Sequence, residues 1–288
     1  MREQAVRWIN WVRDQELEAL RPWLEPLARR RAPVLEIGGG NGFLAARLAA
    51  LGLRVTSIDP RPRQPGFFPV RVGDATRLDF PDAGFDLIFS SNVLEHIDDL
   101  PAALAEMKRV LRLGGLMIHT MPTPTNTVLT ILTQPAGHYF ELAFLFGAAR
   151  QLLQSHWRGG PSPGGPPGPE PSTPAPNRRL SRRHARQALQ KLNPLRLLLP
   201  ARHGVSPHCW TELRDWREAA WRRRFAQAGL TVEAVAPLPL AYSRNVCCPF
   251  RLVGLRRRLA RTGWTSSRGY LLRIPHTQGT DLAPKPGL

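Results

Sequence analysis

Three glycines set two apart, Gly38, Gly40 and Gly42, follow a short apolar run (Val34, Leu35, Ile37) and precede Phe43, Leu44, Leu48 and Leu51 at helical spacing. Such a run bounded by glycine reads as a buried parallel strand, and the spacing after it as a helix. Between the two the chain must turn sharply, and residues without a Cβ let that backbone come close to a ligand. The free N–H groups of the helix start then face whatever lies over the turn. Dinucleotides favour G-x-G-x-x-G, whose third glycine permits close packing of helix on strand. Here that third position is the bulky Phe43. The frame that does fit is acidic-x-G-x-G-x-G, made by Glu36, Gly38, Gly40 and Gly42.

Further polar residues stand where strands end. Asp59-Pro60 closes the run Arg54–Ile58, about twenty residues past the glycines. A carboxylate at the end of a second strand lies beside the first strand's turn and can accept both hydroxyls of a ribose. Asp74 and Ala75 follow a third run, Pro69–Val72, and Phe85–Ser91 leads into Asn92, Glu95 and His96. In open parallel sheets ligands sit outside the carboxyl ends of the strands, so His96 is the foremost candidate for taking up a proton. The plainer role for Glu95 and His96 is to cap and orient the next helix. His119, His138, His203 and His208 could reach the mouth of such a pocket, but each reads more readily as a surface or packing residue.

The elements that must hold these residues alternate. An amphipathic helix is expected from Gln4 to about Leu27, packed on the domain's edge or over the site. After the four strands and their first helix comes a helix from about Leu100 to Leu113, with Gly114-Gly115 as its C-cap, then a strand over Leu116–Met121. Alternation from Pro33 to Met121 is the pattern of a doubly wound parallel α/β sheet. Beyond residues 123–210 it resumes with a helix over Thr211–Ala228 stopped by Gly229, a strand over Thr231–Val235, a helix over Phe250–Leu259 and a strand over Gly269–Ile274.

The frame Glu36-x-Gly38-x-Gly40-x-Gly42, with Phe85-Asp86-Leu87-Ile88, Leu94-Glu95-His96-Ile97 and Arg109-Val110-Leu111-Arg112-Leu113-Gly114-Gly115, resembles the small-molecule branch of the class I S-adenosylmethionine-dependent methyltransferases over residues 33–122. The resemblance implies a Rossmann-like sheet of seven strands, parallel but for one reversed strand, and S-adenosylmethionine as cofactor. It implies cofactor contacts from Glu36, Gly38, Gly40, Gly42, Asp59 and Pro60, with Asp74 and Ala75 at the adenine and Asn92 at the amino end. Quinone-type O-methyltransferases carry acid-x-x-Glu-His here as a metal constellation. Asn92 replaces the first acid, and loss of one carboxylate weakens divalent binding, so no metal is expected. The chain lacks an Asn/Asp-Pro-Pro-aromatic motif after the fourth strand, nucleophilic cysteines near the fourth and fifth, and a paired-glutamate loop. These absences argue against base N-methylation, RNA C5-methylation and protein-arginine methylation.

At 288 residues the chain can hold one large core with an insertion. The expected parts are an N-terminal helix (1–32), a cofactor-binding half (33–122), an insertion or lid (123–210), the rest of the sheet (211–274) and a loose tail (275–288). Within the insertion Val128–Leu153 is apolar but broken by Pro135, His138, Glu141 and Arg150, residues 159–176 are a proline- and glycine-rich disordered linker, and Arg178–Leu199 is basic and amphipathic. The net charge of +18 is nearly all arginine, concentrated at residues 29–31, 178–186, 214–224 and 251–261. Such patches attract phosphates of nucleic acid, anionic lipid or a lipid-linked sugar, or are solvated faces. Three cysteines make no disulfide framework or zinc motif, and the N-terminus lacks a signal-peptide layout, so a cytoplasmic protein is expected, peripheral at the inner membrane face if the basic and apolar stretches bind lipid. The leading expectation is O-methylation of a small or lipid-linked acceptor (a glycolipid, polyprenyl-linked sugar or quinone-like molecule). An RNA methyltransferase and a non-catalytic cofactor-binding module are the alternatives.

Overall fold

A computed structural model describes residues 2–64, 66–134, 203–245 and 250–275. In chain order the main unit contains α1 (Arg2–Ala19), α2 (Arg21–Arg29), β1 (Pro33–Ile37), α3 (Phe43–Ala50), β2 (Arg54–Asp59), β3 (Arg71–Val72) and β4 (Phe85–Ser91). A single 3-10 turn (Leu94–His96) leads to α4 (Leu100–Val110) and β5 (Leu111–Pro122). After residue 202 come α5 (Cys209–Asp215), α6 (Glu218–Gln227), β6 (Thr231–Pro237), α7 (Val253–Arg261) and β7 (Ser267–Arg273). The strands form one seven-stranded sheet of order β3-β2-β1-β4-β5-β7-β6. All adjoining pairs from β3 to β5 are parallel, and β7 runs antiparallel to both β5 and β6. The expected sheet with one reversed strand is therefore present.

Alternation along the strands divides the core in two. Val34, Leu87 and Phe89 point to the face covered by Leu17 of α1, Leu24 and Leu27 of α2, and Leu44 and Leu48 of α3. Leu35 and Ile88 point to the other face, covered by Leu104 and Met107 of α4 and by Trp216, Trp221 and Phe225. The N-terminal helical region thus packs on a sheet face. It is also two helices, because Pro22 opens a fresh first turn after Leu20.

Two other boundaries differ from expectation for the same reason. Helix α4 stops at Val110, and the chain turns extended at Leu111, which pairs with Phe85 of β4. Gly114 takes φ +75° within β5 and is not a helix cap. The expected single helix over Thr211–Ala228 is broken at Trp216-Arg217, where the Trp216 side chain turns inward and is buried. Tertiary pairing and burial override local helical preference at both places.

A second unit spans 130–201 and 245–247. Of it residues 130–134 and 245 are described, and there the Asn245 amide donates to the Thr130 carbonyl and the Gln134 side chain. The linker over 159–176, the basic segment Arg178–Leu199, His138, Cys247, Cys248 and the tail beyond Pro275 lie outside the described residues. Among the described residues no helix is long and apolar enough to cross a membrane.

His119 is fully buried in β5, its Nδ1 2.8 Å from Ser90 Oγ and its Nε2 without a partner, so it is a packing residue and lies away from any pocket mouth. Burial pushes its pKa down to about 3. The unfolded chain therefore takes up a proton below about pH 6.5 that the folded chain refuses, and stability falls as pH drops from there toward 3. The full loss is about 5 kcal/mol. Urea unfolding followed across pH 4–7 should show stability falling more steeply with acid in the wild type than in His119→Gln, the difference between the two isolating this histidine from the other titrating groups.

Candidate cofactor and acceptor site

The glycine turn is held by backbone bonds on both sides. Gly38 and Gly39 N–H groups donate to the Ile58 carbonyl at 2.8 and 2.9 Å, and the Arg63 and Phe67 N–H groups donate to the carbonyls of Gly40 and Asn41. Gly38, Gly40 and Gly42 all have φ between +57° and +77°, a region that L side chains seldom enter. Their surroundings differ, however. A Cβ on Gly38 would lie 2.3 Å from Val93 Cγ2, and one on Gly42 would lie 2.5 Å from the Phe68 carbonyl oxygen. These two glycines make room for the protein itself. A Cβ on Gly40 would meet nothing closer than the Arg63 guanidinium, 3.9 Å away at the end of a flexible exposed side chain. Of the three, Gly40 alone has room for a Cβ. Gly39, which the spacing did not single out, is also sterically required, since its Cβ would fall 2.0 Å from Ser57 Oγ.

The acids of the turn have separate places. Asp59 Oδ2 accepts from the Gly40 N–H at 2.9 Å and Oδ1 from the Arg61 N–H at 2.7 Å, which fixes the carboxylate beside the glycines. Each oxygen keeps a second lone pair for a further donor. Pro60 follows on the surface. Glu36 is buried under the turn and accepts from Ser57 Oγ at 2.5 Å, and burial raises its pKa above the usual carboxylate range. It braces the turn from within. Asp74 is exposed and accepts from the Thr76 N–H and hydroxyl, both at 2.9 Å, with Ala75 buried next to it. Asn92 holds φ +53°, its N–H bonded to the Thr120 carbonyl.

Residues far apart in sequence meet at the 3-10 turn after β4. The His96 and His203 rings have centroids 4.5 Å apart, and each Nε2 lies 3.9 Å from Glu95 Oε1. Glu95 is buried with neither carboxylate oxygen hydrogen-bonded, and burial pushes its pKa up to about 8. Burial also lowers His96, whose side chain is 44% exposed, and lowers His203 to about 3, with the charges of His96 and Arg244 adding to that shift. His203 is placed by its neighbours: Gly204 has φ +65°, the Val205 N–H donates to the Glu95 carbonyl at 2.9 Å, and the His203 N–H donates to Glu212 at 2.7 Å. Glu212, fully buried, also accepts from Thr127 Oγ1 and from the Arg244 guanidinium. His203 had no sequence signal linking it to His96. Nor had Arg13 of α1, whose charge acts on Glu16, Glu36 and Glu95 alike.

This sheet order, with a glycine turn after the first strand and an acid after the second, is the one that the resemblance to the class I S-adenosylmethionine-dependent methyltransferases implies. Residues 35–119 match the family described as methyltransferase domain. A curated relative from Mycobacterium sp. (strain JLS), named an uncharacterized methyltransferase, is 36% identical over 126 residues, covering 41% of this chain and 46% of its own. A malonyl-[acyl-carrier protein] O-methyltransferase of Serratia marcescens is 36% identical over 92 residues, covering 30% and 36%. The chain thus spans less than half the length of these relatives. Among solved structures, an S-adenosylmethionine-dependent methyltransferase from Mesorhizobium loti superposes with a TM-score of 0.43 at 15% identity, over 88% of this chain and 97% of that one.

Proposed function

We propose that this protein is an S-adenosylmethionine-dependent methyltransferase acting on a hydroxyl of a small or lipid-linked acceptor. The observation that supports it most is the open Cβ position at Gly40 beside the fixed Asp59 carboxylate, a cradle that suits a nucleoside with an amino-acid end. S-adenosylmethionine supplies a methyl group already activated on a sulfonium. The chain's own residues then have to hold, align and exclude water. Asp59 has lone pairs left for ribose hydroxyls, Gly40 leaves space for the amino-acid portion, and Asp74 with Ala75 stands at the end of β3 for the adenine. Asn92, in a left-handed conformation just after β4, is assigned to the amino end.

A hydroxyl acceptor must also lose a proton. His96, three residues after the Val93 that packs on Gly38 and with its side chain 44% exposed, is the candidate to receive it. Support for oxygen as the atom methylated comes from the Serratia marcescens relative, although the shared 92 residues leave the acceptor open. A lipid-linked acceptor draws its support from the apolar and basic composition of residues 128–199. Three members of the described arginine clusters bond within the protein, Arg30 to Asp86, Arg222 to Glu218 and Arg256 to the Ala241 carbonyl, which leaves the RNA reading fewer groups to draw on.

Calorimetry with S-adenosylmethionine should give saturable binding that weakens about tenfold or more in Asp59→Ala, since a charge-assisted bond is worth roughly 1.5–3 kcal/mol. Isotopically labelled cofactor with fractionated cell extract should mark a lipid or small-molecule fraction. Label in RNA, or normal affinity in the variant, would overturn the assignment.

A further inference from the structure

We propose that Glu95, His96 and His203 form a binding site for a zinc-class divalent cation. The two imidazole Nε2 atoms each lie 3.9 Å from Glu95 Oε1, and one ligand atom from each residue falls within 4.8 Å of the other two. Separations of 3.9 Å are too long for hydrogen bonds, so the three groups do not satisfy one another. An ion equidistant from three atoms so spaced sits about 2.2–2.5 Å from each, a few tenths of an ångström beyond zinc–nitrogen and zinc–oxygen bonds. Small rotations of the side chains close that gap.

The second observation is Glu95 itself. Its side chain is 1% exposed, and among the described residues neither carboxylate oxygen is hydrogen-bonded by any other residue, Glu95's own backbone N–H being the one donor that acts on it. A buried carboxyl with nothing to bond costs several kcal/mol and calls for an explanation. Among the described residues Arg13 is the cation acting on it, as the weakest of its influences. A cation between the carboxylate and the imidazoles answers the cost directly.

The third ligand is delivered by design of the backbone. A Cβ on Gly204 would lie 2.1 Å from the Glu95 carbonyl oxygen, so only glycine lets this segment dock close enough for His203 to face Glu95. The buried Glu212 then holds the His203 N–H, and Trp216 packs edge-on against the His203 ring, 5.6 Å between centroids. One carboxylate and two neutral imidazoles, with positions left over, is the donor set of a catalytic rather than a structural zinc site. What the ion does there rests on the proposed methyltransferase function. Held by Glu95, His96 and His203, the ion would lower the pKa of an acceptor hydroxyl bound at an open position, and His96 would then be a ligand in place of a free base.

The full chain, free of any polyhistidine tag and dialysed against chelator, should take up one zinc per molecule, read by calorimetry and by metal analysis after desalting. Glu95→Gln and His203→Gln should each weaken uptake at least 100-fold with unchanged circular dichroism. Gly204→Ala alters no ligand and should weaken it at least tenfold. His208→Gln, an exposed histidine outside the triad, should match the wild type. Absence of uptake, or equal uptake by wild type and all variants, overturns the site. S-adenosylmethionine titrated in parallel separates the two ideas: cofactor binding without zinc uptake sinks the metal site alone, whereas zinc uptake without cofactor binding upholds the site and sinks the methyltransferase reading.

Discussion

Gly40→Val is expected to abolish S-adenosylmethionine binding while leaving the protein folded. The new side chain enters at a Cβ position whose nearest neighbours are atoms of the exposed Arg63 guanidinium at 3.9 Å, so the fold itself meets no collision. Backbone strain remains, because φ is +57° and a β-branched residue there costs a couple of kcal/mol. The isopropyl group fills the space the cofactor needs, and affinity should fall at least 100-fold by calorimetry. Gly42→Val provides the contrast. Its Cβ would stand 2.5 Å from the Phe68 carbonyl oxygen and 2.7 Å from the Phe68 nitrogen, both backbone atoms that cannot swing aside. That variant should lose stability outright, seen as a melting temperature lower by many degrees. Equal behaviour of the two variants would contradict the division of labour among the glycines.

Glu212→Ala should produce the largest loss of stability of any single substitution considered. Its carboxylate is fully buried and accepts from Thr127 Oγ1 at 2.9 Å, the His203 N–H at 2.7 Å and Arg244 Nη2 at 3.0 Å. Removing it takes a buried carboxylate away from the half-buried Arg244 guanidinium and from the other two donors, a change that costs about 3–5 kcal/mol. Chemical denaturation measures this directly. Glu212→Gln, which keeps the shape and one acceptor oxygen, should recover part of it. A loss below about 1 kcal/mol would show that water replaces the network.

The cofactor half was legible because its signals are local. A strand, a glycine turn and a helix start occupy Pro33–Ala50 without interruption, and Asp59 stands a fixed distance beyond. What those glycines do was less legible: spacing makes all three equal, whereas Val93 and the Phe68 backbone, placed by tertiary packing, leave only Gly40 with room for a Cβ, against the movable Arg63 side chain. Helix ends were misread where a distant partner decides. Leu111 leaves the helical pattern to pair with Phe85, and Leu17, Leu20, Leu24 and Leu27 keep one periodicity through a real break. His96 could be picked out by its place after the fourth strand. His203 could not, since the chain brings it back from beyond the insertion by a glycine fit no periodicity encodes.

The carboxylate of Glu212 has one more consequence. Thr127 and His203, the residues on either side of the stretch 128–202, are tied to the same buried group. That knot lets the core close without reference to whatever the intervening chain contains. The entropic penalty for spanning it grows only with the logarithm of length, about 0.6 kcal/mol for each doubling. Evolution could therefore exchange the whole stretch, or a designer graft another in its place, as one replaces the blade of a tool while keeping the handle.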